Sequence, residues 1–342
     1  MSAEKYLKPN KIYQGDSKKL LKKIEPQSIS LSVWSPPYHV GKDYEKQYTF
    51  EKWVNLISEV IILHGPILKP GGFLVVNISD ILCFRDNNIP RIQAMTISRQ
   101  KYSITREDVL AAKKAHPDFN RDQLAALLGC SEQTIDRRLN NNNIRGGKYA
   151  SQTRVHLVSG MIQDAGIKGG LYLYDRRIWV KDPAWVNSRW HSLSYRAVDE
   201  FEYLFVFWKP GITVVDRERL SPKEWIEWGS RGVWKIPSVR ANDNHEAKFP
   251  IELPRRFIRL LTAPNDIVLD CFIGSGSTAV AAIREDRNFI GIDLLKRYVI
   301  LARKSVEEEM KIKSLDLYCT KNTEEKKKQD KSPRQLSLLI EN

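Results

Sequence analysis

Cysteine is scarce in this chain, and long apolar runs are missing. Four cysteines occur in 342 residues (Cys83, Cys130, Cys271 and Cys319). They lie far apart and form no CxxC pair, so neither a disulfide framework nor a zinc site is suggested. The six histidines show no ligand spacing either, and no metal is expected. No apolar stretch approaches the roughly 18 to 20 residues of a membrane span, and the first residues carry no signal-peptide pattern. The expected compartment is the cytoplasm. Internal repeats are absent. Acidic residues are in deficit, 41 against 55 basic ones, for a net charge of +14. A surplus of that size suits a polyanionic partner, nucleic acid first, although a merely soluble basic surface accounts for it too.

What is present reads as an α/β chain interrupted by other material. Residues 28–34 (SISLSVW) form a strand pattern that stops at Ser35. Phe50 opens a helical stripe of Trp53, Val54, Ile57, Val60 and Ile61. Lys69-Pro70-Gly71-Gly72 reads as a turn, and 73–78 (FLVVNI) as a strand. From about Arg85 to Tyr149 the texture becomes polar, basic and rich in helix formers, as in an insertion. Strand character returns at 171–174 and strongly at 203–208 (YLFVFW), followed by a stretch holding Trp225, Trp228 and Trp234. Then come a helix over 252–261, a strand over 267–270, a glycine loop, a helix over 278–284, a strand over 289–293 and a helix from about Lys296. With 342 residues, two domains or one elaborated domain are plausible.

Two motifs carry chemistry. In the first, Asp270 ends a strand, and Gly274 and Gly276 follow before a helix opens. Glycines there let the backbone turn tightly and approach a ligand. Asp293 ends the next strand about 20 residues on, the spacing of a carboxylate for a ribose hydroxyl. No Gly-Lys-Ser/Thr follows, so the loop is not a Walker phosphate cradle and suits an adenosine ligand without phosphates. The second motif is Ser35-Pro36-Pro37-Tyr38, at the end of the first strand. Two prolines fix the backbone and remove two donors, leaving carbonyl acceptors. That suits an exocyclic amino group, whose delocalised lone pair becomes nucleophilic when its protons are accepted by a side chain and a carbonyl. Tyr38 offers a face for stacking, and a duplex base would have to be flipped out to reach it. A rigid turn without catalytic meaning is the alternative for this tetrapeptide alone.

The order of the motifs makes the resemblance specific. The chain resembles amino-group DNA methyltransferases of the permuted, beta arrangement, with the catalytic motif first and the cofactor loop last. The matching pieces are Gly15-Asp16, Ser35 to Tyr38, Lys69 to Gly72, Phe201 to Lys209, Phe249-Pro250, Asp270 to Gly276, and Gly291-Ile292-Asp293 with Tyr298. The resemblance implies a circularly permuted Rossmann-like fold and S-adenosylmethionine as donor. It implies that Phe249, Pro250 and Phe272 line the cofactor pocket with Asp270, Gly274 and Gly276, that Asp293 binds the ribose, and that Asp16 contacts the methionine end or the site floor. Cys271 stands where many members have proline. Serine at the first motif position goes in this family mainly with cytosine N4, while adenine N6 stays open. Cytosine C5 chemistry needs an attacking cysteine, and none is near Ser35. The bland competitor is a helix-turn-helix regulator on a degenerate enzyme fold.

The implied division is a catalytic half over 1–84, a helical insertion over 85–150, remaining catalytic-half strands over 151–215, a Trp-rich segment over 216–244, a cofactor half over 245–320 and a disordered charged tail over 321–342. In the insertion, Asn120 and Gln123 form a capping-box pattern ahead of Leu124, Leu127 and Leu128. After Gly129-Cys130, Ser131 can cap a second helix carrying Ile135 and Leu139. Helix, Gly-containing turn, helix is the helix-turn-helix pattern. Gln133, Thr134, Arg137 and Arg138 are then candidates to face double-stranded DNA, although a hairpin that only packs on its own domain fits as well. The Trp-rich segment is a second recognition candidate, with Arg231 and Arg240 for phosphate or guanine. A restriction endonuclease is an expected partner. Gln335 to Leu339 (QLSLL) resembles the peptide by which bacterial proteins dock on the replication sliding clamp.

Overall fold

The computed structural model describes residues 5–37, 49–79, 81–83, 104–140, 153–155, 157–182, 200–239 and 250–330. They divide into two compact units, one of residues 1–82, 155–182 and 200–342, the other of 83–154 and 183–199. Tyr38, Arg240, Phe249 and Gln335 to Leu339 lie outside the described residues.

The first unit is built on an eight-stranded sheet. Its strands are β1 (Lys11–Gln14), β2 (Ile29–Trp34), β3 (Leu68–Ile78), β6 (Tyr172–Val180), β7 (Phe201–Trp208), β8 (Val233–Lys235), β9 (Ile267–Asp270) and β10 (Asn288–Asp293). Their order across the sheet is β1-β10-β9-β2-β3-β7-β6-β8. All pairings are parallel except β3 with β7 and β7 with β6. Two antiparallel steps cancel, so β7 alone runs against the rest. The strands β4 (Ile81–Cys83) and β5 (Thr153–Val155) form a separate pair.

Side-chain alternation sorts the two faces. Leu31 and Val33 of β2, Phe73 and Val75 of β3, and Leu204 and Val206 of β7 share one buried cluster with α8 (Glu252–Leu261), α9 (Ser277–Arg284) and α10 (Lys296–Asp330). The other face takes α2 (Phe50–Ile67) and α6 (Val158–Lys168), whose Gly166 sits directly on the Phe207 ring. Helices on both faces explain why β2 reads as buried throughout rather than alternating. α2 begins at Thr49, whose hydroxyl accepts from Lys52 N–H, and its expected stripe is buried except for half-buried Val54. α1 (Ser17–Leu21) and the short α7 (Pro222–Glu224) complete this unit. No described helix is long and apolar enough to cross a membrane.

Three local expectations change. Lys69 to Gly72 is no separate turn but part of β3, entered through an irregularity where the β2 pairing skips from Ile29–Leu68 to Leu31–Phe73. Gly71, at φ +80°, makes that irregularity possible. The strand expected over 171–174 extends to Val180. α10 continues to Asp330, into the segment from 321 whose composition suggests disorder, because Lys and Glu are good helix formers.

The second unit holds α3 (Arg106–Ala115), α4 (Arg121–Leu127) and α5 (Glu132–Leu139) around Val109, Ala112, Leu124, Ala125 and Ile135. Asn120 and Gln123 exchange both hydrogen bonds of a capping box, and Ser131 caps α5 through Thr134 N–H. Leu127, expected in the apolar stripe, is instead half exposed, because α4 turns it away from this small core.

Candidate active site

The carboxyl ends of β1, β10, β9, β2 and β3 lie along one edge of the sheet. From β2 the chain proceeds through α2 to β3, and from β9 through α9 to β10 in the opposite direction. The crevice between β9 and β2 is therefore the point where strand order reverses, the place where ligands bind in open α/β sheets. Leu31 faces Val268 and Ser32 faces Leu269 across it. Residues far apart in sequence, Ser35 and the loop after Asp270, thus emerge side by side.

The glycine loop is organised from within. Asp270 is buried, and its carboxylate accepts from Phe272 N–H at 2.9 Å and from the Thr278 hydroxyl at 2.6 Å. Both of its oxygens are thus engaged within the loop. Burial pushes its carboxyl up to about 7 against those two bonds, and neighbouring Asp293 adds to the rise. Gly276 caps α9 at φ +93°, where an added Cβ would stand 3.1 Å from the Ala302 backbone. Gly274 also has positive φ, at +50°. The buried Asp293 carboxylate ties this loop to β10, accepting from Gly274 N–H at 3.0 Å and Leu295 N–H at 2.9 Å. Burial raises its pKa, and those N–H groups oppose the rise. Each oxygen keeps a further lone pair for a hydroxyl. Asp16 stands beside it: Gly15 N–H donates to the Asp293 carbonyl, and the Asp16 carboxylate caps α1 through Lys18 and Lys19 N–H. Cys271 is buried, and its carbonyl accepts from the Ser17 hydroxyl at 2.6 Å. Pro250 precedes α8, its carbonyl accepting from Leu253 N–H.

Ser35 is half-buried at the end of β2, Pro36 is buried and Pro37 half-buried. The two proline carbonyls are not equivalent acceptors. Pro37 accepts from the Trp53 indole N–H at 2.8 Å, so its carbonyl is committed to holding the motif against α2. Trp53 looked like simple core filler in the sequence. Asn77, at the end of β3, reaches Ser35 Oγ with its amide nitrogen at 3.4 Å. Nothing in the linear sequence ties residue 77 to residue 35; only adjacency of β2 and β3 does. Behind the motif, Trp34 is fully buried between His64 and Phe272.

The candidate DNA-facing residues fall into different units. Gln133 is exposed at the start of α5, with half-buried Thr134, Arg137 and Arg138 after it. The Trp-rich segment belongs to the sheet unit. Trp228 and Trp234 are core residues, Trp234 lying 4.8 Å from the Phe257 ring and between the guanidinium groups of Arg177 and Arg256. They are not presented for stacking on a base. Arg231 is exposed and donates to the Ile226 carbonyl.

Known proteins resemble this chain in sequence and in fold. Residues 29–304 match the DNA methylase family. The type II methyltransferase M.BglI of Bacillus subtilis is 56% identical over 349 aligned positions, covering 100% of this chain and 98% of that protein. A solved cytosine-N4-specific PvuII DNA methyltransferase superposes with a TM-score of 0.52 at 20% identity, covering 90% of this chain and 92% of that one. A candidate DNA modification methylase of Thermus thermophilus, solved with S-adenosyl-L-methionine, superposes with a TM-score of 0.55 at 22% identity, covering 87% and 93%.

Proposed function

This chain belongs to the DNA methylase family, and from that membership we propose that it methylates the exocyclic N4 amino group of cytosine in double-stranded DNA. The observation that carries the reading is the juxtaposition of Ser35, at the end of β2, with the glycine loop, at the end of neighbouring β9. The loop fits an adenosine-bearing donor. It has a tight glycine turn at a helix start, an acid at the next strand end and no phosphate-gripping lysine. S-adenosylmethionine, when bound there, supplies an electrophilic methyl group. Asp293 would hold the ribose hydroxyls, and Phe272 and Pro250 would flank the adenine.

Ser35 Oγ and the Pro36 carbonyl accept hydrogen bonds from the two amino N–H groups of a flipped cytosine. Pro37 is left out of that role by its bond to Trp53. Those hydrogen bonds would localise the nitrogen lone pair for direct in-line attack on the donor methyl, the N–C bond forming as the sulfonium S–C bond breaks and one amino proton passing to water. No side chain forms a covalent bond to the base. Tyr38 stacks on it. In the second unit, Gln133 and Thr134 meet base edges, while Arg137 and Arg138 neutralise phosphates. Arg231 remains a phosphate-contact candidate on the sheet unit. The likeness to M.BglI, a type II methyltransferase, supports a modification enzyme working beside a cognate restriction endonuclease.

The test is direct. The protein is incubated with plasmid and S-adenosylmethionine, and the DNA is digested to nucleosides for mass spectrometry. N4-methylcytosine is expected. N6-methyladenine would replace the cytosine assignment, and no methylated nucleoside would overturn the reading.

A further inference from the structure

A buried polar chain crosses three strands beside the catalytic corner. Asn77 ends β3, Glu202 lies at the start of β7, and Lys181 directly follows β6. The Asn77 amide nitrogen is 2.8 Å from Glu202 Oε2 and 3.4 Å from Ser35 Oγ. The Lys181 ammonium donates to Glu202 Oε1 at 2.7 Å. Asn77 and Glu202 are both buried. Burying a carboxylate is expensive unless it is paired, and Lys181 provides the pair. Replacing such a pair by apolar residues of similar volume is often no less stable, which leaves room for a role beyond stability.

The amide of an asparagine can face either way, and its two ends have opposite hydrogen-bonding character. A carboxylate accepts only. With one Glu202 oxygen taken by the Lys181 ammonium, turning the Asn77 oxygen toward the other would set acceptor against acceptor. Glu202 therefore fixes the amide with nitrogen outward, and the second N–H of that nitrogen points at Ser35 Oγ. The serine oxygen thus accepts from the Asn77 amide at 3.4 Å.

Resting on the amino-methyltransferase reading, we propose that Glu202, clamped by Lys181, is a positioning residue for the reaction. It acts through Asn77 to orient Ser35 Oγ toward the amino group of the target base. Glu202 touches neither the donor nor the base in this role. Its loss therefore lowers kcat and leaves donor binding in place.

The experiment compares full-length wild type, Glu202→Gln, Asn77→Ala and the double variant Glu202→Gln/Asn77→Ala. A second double variant, Lys181→Met with Glu202→Gln, removes both charges together and leaves neither one buried alone. S-adenosylmethionine affinity is measured by calorimetry and kcat on plasmid DNA under saturation. Glu202→Gln and the charge-free pair are expected to lose about 10- to 100-fold in kcat, with donor affinity within about twofold of wild type. In the Asn77→Ala background, Glu202→Gln is expected to add no further loss. Full kcat in the charge-free pair overturns the proposal, as do additive losses. Donor affinity lost in parallel with kcat in both Glu202 variants also overturns it, making the chain a structural clasp. A wild type that methylates nothing defeats the underlying reading instead, so the two failures are distinguishable.

Discussion

Phe272 meets Trp34 edge to face, with ring centroids 5.4 Å apart and planes at 67°. One ring belongs to the cofactor loop after β9, the other to the last residue of β2. The contact joins the two motifs that the chain order separates. Trp34 is fully buried, whereas Phe272 is only half-buried and so keeps a face for a ligand. Replacing Phe272 by Ala should weaken S-adenosylmethionine binding by about tenfold and cost about 1 kcal/mol of stability from the lost aromatic pair. Titration calorimetry checks the first and thermal melting the second. Unchanged affinity would show that the ring fills space only.

Two buried titrating groups give opposite pH slopes, and single variants should separate them. Asp270 has its pKa raised by burial to about 7. The folded state then holds that proton more tightly than the unfolded chain does. Its contribution to stability is full below the ordinary carboxylate range and is lost as pH rises toward 7. His64 is the reverse case. Fully buried between Val60 and Ser32, it has its pKa lowered by desolvation from 6.5 to about 4. Its contribution is present above 6.5 and is lost as pH falls toward 4. The windows overlap, so the two contributions oppose each other between pH 4 and 7. Asp270→Asn should leave stability falling with acid across that range, and His64→Gln should leave it rising with acid. Urea midpoints at several pH values read both slopes, with roughly 1 to 3 kcal/mol between the extremes. Identical profiles for both variants would refute the pairing.

Ile135 is fully buried in the helical unit, clustered with Val109, Ala112, Leu124 and Ala125. Truncation to Ala should cost about 2 to 4 kcal/mol, enough to melt so small a core. If α5 carries the DNA-facing residues, Ile135→Ala should abolish sequence-specific DNA binding and leave S-adenosylmethionine affinity unchanged. Gel-shift assays on cognate and scrambled duplexes, beside calorimetry, provide the readout. Retained specificity in a variant whose helical unit is unfolded would move recognition elsewhere.

Much of the site was legible because it depends on short-range chemistry. Gly274 and Gly276 announce a turn that other residues resist, and Asp270 and Asp293 end strands of recognisable pattern. The capping box of Asn120 and Gln123 is equally local. What stayed hidden depends on which strands become neighbours. Asn77 approaches Ser35 only because β3 lies beside β2, and Glu202 approaches Asn77 only because β7 lies beside β3. The Pro37 carbonyl looked like an outward acceptor until Trp53, on the stripe of α2, claimed it. The tryptophans at 228 and 234 read as packing more readily than as base stackers, and α8 supplies that packing through Phe257 and Arg256. Helix α3 carries a capping box of its own in Thr105 and Asp108, as local a signal as the one at Asn120.

Gly276 offers the sharpest test of the cofactor loop. Its φ of +93° lies in the left-handed region, and an alanine Cβ there would stand 3.1 Å from the Cα of Ala302 on α10. Both costs fall on backbone, which cannot rotate away as a flexible side chain can. The strain is of order 1 to 3 kcal/mol. It can be relieved only by moving the loop or by moving α10 off the sheet. Moving the loop would disturb the start of α9, where the adenosine donor is proposed to lie. Gly276→Ala should therefore lower the melting temperature by several degrees and reduce S-adenosylmethionine affinity at least tenfold. Gly170 makes a matched control, since it also has positive φ, at +74°, but an added Cβ there meets nothing within 4 Å. Gly170→Ala should cost some stability and leave donor affinity alone. Equal affinity loss in both variants would mean that general destabilisation, not the shape of this loop, governs binding.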